Sequence, residues 1–194
     1  MLNTKYLIGE RQGQEIAQRN PEALGNAWFV ERIKWVPNAD AEMLALNADV
    51  FDPANEAVID ERYRSYATGI GQNRNGASIS LKSYDPKKMV YTANNPTGTD
   101  LLAVFSEIYY EGVDHDWKVA IDGKPVEHIR VNYLLRAMKV PAGNSEIVFT
   151  FEPKSYMMGE QIDKVFSLIM LIGLGAALFM AFKQYNLEPT KENE

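Results

Sequence analysis

Residues 165–182, VFSLIMLIGLGAALFMAF, run for eighteen positions without a charge, with Asp163 and Lys164 before them and Lys183 after. A helix over this run rises about 1.5 Å per residue, roughly 27 Å in all. The hydrocarbon core of a bilayer is about 30 Å thick, and slight extension or local thinning closes the difference. A buried helix of a soluble core normally keeps a polar stripe, whereas here only Ser167 interrupts the apolar surface. The run therefore predicts a membrane span, and what precedes it is read as tethered to a membrane. Within the span Gly173, Ala177 and Ala181 recur at every fourth position, a small-residue face on which another membrane helix can approach closely.

The rest of the 194 residues leave room for one domain of about 160 residues, enough for a single core. The expected division is residues 1–160 as that domain, 161–184 as the transmembrane helix and 185–194 as a short polar tail. Of the net charge of −6, −5 falls on residues 1–164 and −1 on the remainder. That balance lacks the basic face of a nucleic-acid binder, so no nucleic-acid partner is expected. With no cysteine, disulfides, thiolate nucleophiles and Cys-ligated zinc are excluded. The first twenty residues contain no long apolar run and do not read as a secretory signal; a chain starting at Met1 would be cytosolic and tail-anchored. Lys154 and Lys164 on one side of the span balance Lys183 and Lys191 on the other, so the positive-inside rule assigns no orientation.

Before the span the pattern is that of short strands. Residues 5–8 suit a strand, residues 9–19 a polar loop, and Asn20-Pro21 one helical turn capped by Asn20. Residues 27–36, AWFVERIKWV, read as one central strand, with Phe29, Ile33 and Trp35 on one face and Trp28, Val30 and Val36 on the other. Asp40 is placed to cap a short helix reaching Asn47. Residues 56–60, 77–84, 89–93, 101–110, 117–121, 124–129, 133–140 and 146–151 follow as strands, and Asp122-Gly123 marks a hairpin. Turn signals at this spacing predict a mainly β chain. The expected fold is a two-sheet antiparallel β-sandwich, jelly-roll-like, followed by one C-terminal transmembrane helix. Residues 153–159 are expected to be a linker short enough to hold the sandwich against the membrane, with Tyr156 in the interfacial belt.

Motifs for chemistry are sparse. Asp114-His115-Asp116 lacks the glycine and distal glutamate of a calcium loop and reads as a solvated acidic loop; His128 reads as a surface or satisfied histidine. No phosphate loop, nucleophile elbow or HExxH motif is present, and no catalytic, cofactor or metal residue is assigned. The aromatics Trp28, Trp35, Trp117, Tyr109 and Tyr110 suggest a platform for sugar rings. Large aromatics in strands more often fill the core, and that reading is preferred. The glycan-contact candidates are Trp117, Tyr109 and Tyr110.

The blocks AWFV (27–30), FSEIYYEG (105–112), WKVAIDGKPV (117–126), YLLRAMKVPAG (133–143) and FEPKSYMMG (151–159), in this order and followed at once by a span, resemble the C-terminal end of bacterial YfhO family membrane proteins. The resemblance implies a GT-C type glycosyltransferase with many membrane helices and a lipid-phosphate-linked sugar donor. It also implies a β-rich extracytoplasmic domain before a final helix, in the cell membrane, and a role in glycosylating cell-envelope polymers. The acidic catalytic residue of that class lies in an early extracytoplasmic loop outside this chain, so none is carried over. Where relatives read YYPGW, residues 109–117 here read YYEGVDHDW, replacing the proline and inserting four residues. The implied partners are the bilayer, the other helices of the parent protein, and a glycan or lipid-linked sugar. The alternatives are a stand-alone anchored carbohydrate-binding module and a tail-anchored cytosolic interaction domain.

Overall fold

The computed structural model describes residues 1–11, 13–47, 50–112 and 115–187. The chain forms two compact units, Met1–Glu152 and the residues from Pro153 onward. The first is built from strands β1 (Tyr6–Arg11), β2 (Gln14–Arg19), β3 (Ala27–Val30) and β4 (Arg32–Val36), helix α1 (Ala39–Leu46), and strand β5 (Glu56–Asp60). There follow β6 (Ser78–Asp85), β7 (Lys88–Asn95), β8 (Leu101–Ile108), β9 (Trp117–Ile121), β10 (Lys124–Val126), β11 (Ile129–Val131), β12 (Leu135–Val140) and β13 (Gly143–Phe151). The second unit is helix α2 (Lys154–Leu187).

Alternation of apolar and polar residues along β7 and β13 gives each strand one dry and one wet face. The dry faces meet those of a second sheet. A five-stranded sheet of order β10-β9-β13-β7-β6 packs on a four-stranded sheet of order β11-β12-β8-β3, both antiparallel throughout. Tyr91, Phe105 and Phe149 meet edge to face at the centre of the core between them, with ring centroids 4.9, 5.0 and 6.1 Å apart, the geometry that the ring quadrupoles favour. The chain is thus the expected antiparallel sandwich followed by one long apolar helix.

A further layer, which alternation does not reveal, covers the outer face of the four-stranded sheet. Trp28, Val30, Leu102, Val104, Val131 and Leu135 point away from the sandwich core and pack with Ala57, Ile59, Ile33 and Trp35. β4 and β5 pair in parallel, which requires a crossover, and α1 supplies it, packing Ala41, Ala45 and Leu46 with Val36 and Val58. Residues 27–36 are therefore two strands in two sheets and not one. The chain breaks at Glu31, where the Asn55 carbonyl accepts from the Glu31 and Arg32 N–H groups at 2.9 and 3.0 Å. Phe29 enters the sandwich core, while Ile33 and Trp35 join Trp28 and Val30 in the second core.

Buried polar side chains pin this layer in place. Asn132 donates its N–H to the Val58 carbonyl and accepts the Val58 N–H on its side chain, both at 2.8 Å, so it mimics one rung of a ladder. Asn132 and Tyr133 have φ of 49° and 64°, a costly conformation for side-chain-bearing residues. The buried Glu42 carboxylate of α1 holds the turn, accepting from the Tyr133 N–H at 2.7 Å and from Arg130 at 2.9 Å.

Other differences from the sequence expectations are local. Asn38, not Asp40, caps α1, its Oδ1 accepting the Ala41 N–H at 2.9 Å. Residues expected as a polar loop after Ile8 form the β1–β2 hairpin. Asn20 accepts the Glu22 N–H at 3.0 Å, a side-chain turn without the helical turn expected there. Residues 124–129 split at Glu127-His128, so that β10 and β11 belong to different sheets. Asp122 and Gly123 adopt φ of 49° and 78°, the tight hairpin that Asp-Gly favours. Residues 154–159, expected as linker, are the opening turns of α2. At 34 residues the helix is about 50 Å long, and its most apolar window has a mean hydropathy of 2.5. It is long and apolar enough to span a membrane.

Candidate functional site

The β8–β9 connection, the crossing from β10 to β11 and the residues after β5 enclose a cleft of about 550 Å³. Glu61–Tyr63, a single 3-10 turn, follows β5 because Asp60 caps it, accepting the Arg62 N–H at 3.0 Å. That cap presents Tyr63, and then Tyr66, to one wall. Tyr109, Tyr110 and Trp117 come from the ends of β8 and β9, and His128 from the crossing. Three aromatics singled out in the sequence, Tyr109, Tyr110 and Trp117, thus line one cleft. Trp28 and Trp35 do not join them. Trp28 is buried in the second core with its indole N–H donating to the Pro53 carbonyl at 2.9 Å, and Trp35 packs in that core beneath Arg64 at 4.5 Å.

Trp117 begins β9 opposite Phe151 and is half-buried. Its ring tilts on Phe151 at 5.1 Å and carries the Arg136 guanidinium at 4.1 Å, a cation–π contact that fixes the indole in the cleft wall. Arg136 is 3% exposed. It donates Nε–H to the Ile108 carbonyl at 2.9 Å, and its Nη1 has no hydrogen-bond partner. Burial pulls its pKa down to about 10, against the opposing pull of Glu107. No sequence motif marks this residue; the signal is a cation at an inward-facing position of an apolar strand, LRAMKV.

Tyr109 is half-buried, its N–H donating to the Leu134 carbonyl at 2.7 Å and its ring 5.4 Å from that of His128. Burial raises its pKa to about 12. Tyr110 is 53% exposed and open to solvent. Tyr66 is a strut: its hydroxyl donates to the Glu127 carbonyl at 2.9 Å and accepts the Lys139 N–H at 3.1 Å. A second cleft of about 540 Å³, edged by Asp100, Lys124 and Lys139, shares Ser65, Tyr66, Val126 and Glu127 with the first.

His128 packs edge-on against Phe149 at 5.8 Å. Burial, followed by the nearby Arg136 charge, lowers its pKa to about 4, so the ring is neutral at physiological pH. Its Nε2 is buried without a hydrogen-bond partner; it is neither the surface nor the satisfied histidine expected from the sequence. His115 is exposed, with Nδ1 3.4 Å from Glu111. Asp116 is buried, its carboxylate occupying the space where a side chain on Gly112 would lie. Asp114, the third member of that acidic trio, lies outside the described residues. Among the described residues no three acidic or imidazole groups converge as metal ligands.

Such a cleft offers aromatic rings, and its fixed charges of both signs, Arg62 and Lys118 against Glu111 and Glu127, balance in number. This suits an uncharged, hydroxyl-bearing ring more than a phosphate or a metal. The small-residue positions Gly173, Ala177 and Ala181 lie along one face of α2. No family model, curated protein or solved structure matches the chain.

Proposed function

We propose that this chain is a membrane-anchored glycan-holding domain: the non-catalytic C-terminal part of a YfhO-like polytopic glycosyltransferase, with the sandwich on the extracytoplasmic side of the cell membrane. One observation carries the glycan reading. Tyr109, Tyr110 and Trp117, from the ends of β8 and β9, share one cleft with Tyr63, which comes from more than forty residues earlier in the chain, in a domain whose last strand ends two residues before an apolar helix. Stacking on Trp117 and Tyr110 would hold the sugar, while chemistry would take place at residues outside this chain. Support for the parent family is the ordered set of sequence blocks and the sandwich-then-span arrangement. The small face of α2 would then meet other helices of the bundle.

Binding is tested with the full chain in nanodiscs on an array of envelope glycans. Retention that Trp117→Ala abolishes, with near-ultraviolet circular dichroism otherwise preserved, is the expected result; silence across the array overturns the glycan reading. Protease added outside spheroplasts should digest the sandwich, and protection would place it in the cytosol. A reading frame upstream of Met1 without apolar spans would leave a stand-alone carbohydrate-binding module. If a parent bundle exists, Gly173→Leu with Ala177→Leu should weaken its assembly without blocking insertion, and unchanged assembly returns α2 to a simple tether.

A further inference from the structure

The two ends of the sandwich differ in chemistry. At one end the connections are residues 72–77, 96–100, 122–123 and 141–144, and none carries a large apolar side chain. At the other end Tyr84, Ile108, Tyr110 and Leu134 are 60, 59, 53 and 37% exposed. The register fixes these four to one end. Tyr84 pairs with Met89, Met89 with Phe149, and Phe151 with Trp117. In the facing sheet Ile108 pairs with Leu135, and Arg136 binds the Ile108 carbonyl while lying over Trp117.

Three independent features share this end. β13 reaches it at Phe151, and only Glu152 and Pro153 separate that strand from α2. The chain on either side of the β1–β2 hairpin is anchored there, because Ser106 donates its N–H to the Asn26 carbonyl at 2.9 Å and its hydroxyl to the Met1 carbonyl at 2.6 Å. That hairpin exposes Tyr6, Leu7, Ile8 and Ile16 and pairs with no other strand among the described residues, although a lone two-stranded hairpin is marginal in water. The exposed Lys87 and Lys88 sit in and beside the β6–β7 turn at this end.

We propose that this end of the sandwich, with the β1–β2 hairpin, is a membrane-contacting surface that seats in the headgroup layer of the bilayer receiving α2. Tyrosines with an apolar ring and a polar tip concentrate at that depth. Lysines can lay their stems on apolar surface and send the ammonium to lipid phosphates. The opposite end also carries cations, Lys124 and Arg74, but its connections lack the exposed tyrosines and large aliphatic side chains. Tyr110 belongs to both this surface and the aromatic cleft, whereas Ile8, Tyr84 and Ile108 lie outside the cleft lining, so a test at those three positions does not depend on glycan binding.

The chain has no cysteine, so single cysteines can carry an environment-sensitive fluorophore without background. Tyr84→Cys, Ile108→Cys and Ile8→Cys sample the proposed surface, and Asp100→Cys and Asn144→Cys the opposite end, all at exposed positions. The full chain is reconstituted in phosphatidylcholine–phosphatidylglycerol vesicles carrying nitroxide-labelled lipid. Quenching by the lipid nitroxide is expected to be several-fold stronger at positions 8, 84 and 108 than at 100 and 144. Equal quenching at the two ends overturns the proposal. So does shielding of the first three from both lipid nitroxide and aqueous acrylamide, the result of a protein partner covering the surface.

Discussion

The two sheets of the sandwich are bonded alike but live differently. β7, in the five-stranded sheet, buries Met89, Tyr91 and Ala93 and leaves Lys88, Thr92 and Asn94 exposed. β8, in the four-stranded sheet, buries Leu101 through Phe105 without interruption, because the β4–α1–β5 layer covers its outer face. One sheet is a wall with a wet side, and the other is the middle layer of the domain. Single substitutions should therefore be costly on both faces of β8 and on only one face of β7.

The sharpest form of that contrast is on β8. Phe105→Ala opens the sandwich core and Leu102→Ala the second core, and each should cost about 3–5 kcal/mol in denaturant unfolding. A Leu102→Ala cost under about 1 kcal/mol, in the range of surface changes, would show that the third layer does not seal that face and would erase the difference between the sheets.

That layer is also where the sequence was least legible. Alternation exposes wet-faced strands such as β6, β7 and β13, and the Asp-Gly turn names its hairpin outright. A strand buried on both sides gives an unbroken apolar run instead, which tells nothing of what lies on the far face. Ala27 to Val36 looked continuous because Glu31, where the chain leaves one sheet for another, is followed by Arg32 and Lys34 alternating with Ile33 and Trp35, a pattern that reads as the same strand carried on. The cleft was legible to a similar degree. Tyr109, Tyr110 and Trp117 could be named from their types, but Tyr63 and Tyr66 arrive from a loop more than forty residues away. Arg136 looks like an ordinary strand residue until its neighbours are known. The strand expected at residues 5–8 is the start of β1, but its continuation to Arg11 and its partner β2 were not legible, because their cross-strand pairing needs no apolar alternation.

The clamp holding the third layer supplies the next test. Glu42→Ala would leave Arg130 and the Tyr133 N–H without their acceptor while Asn132 and Tyr133 stay in a strained conformation. Breaking a buried pair from one side should cost about 3 kcal/mol. Loss should appear first as faster hydrogen exchange in β5 and α1, before the five-stranded sheet; simultaneous loss in both sheets would mean that the layers do not open separately.

A smaller effect tests the junction where the chain crosses from one sheet to the other. His128 has its pKa lowered to about 4 from an ordinary value of 6.5. Between these values the unfolded chain binds the proton and the folded chain does not, so stability rises with pH across this window. Acidification from pH 7 should remove up to about 3 kcal/mol, beginning near pH 6.5 and levelling off below about pH 4. His128→Phe, which cannot titrate, should lack this contribution. An unchanged pH profile in that variant would assign the acid sensitivity to other groups.

The wet face of the five-stranded sheet should give the smallest response. Thr92 faces solvent between Ser80 and Glu146 in the cross-strand rows, and its hydroxyl meets that of Ser80 at 3.1 Å, where water can replace either partner. Thr92→Ala removes this exchangeable contact and some β propensity, so the expected cost is about 0.5 kcal/mol or less. Its neighbour Tyr91 faces inward with no exposure, and Tyr91→Ala should cost about as much as Phe105→Ala, about 3–5 kcal/mol. The step between adjacent residues measures the one-sidedness of the sheet. If Thr92→Ala instead costs more than about 2 kcal/mol, well beyond a surface change, the face is covered in solution, and the contrast between a wet-sided sheet and a middle layer fails.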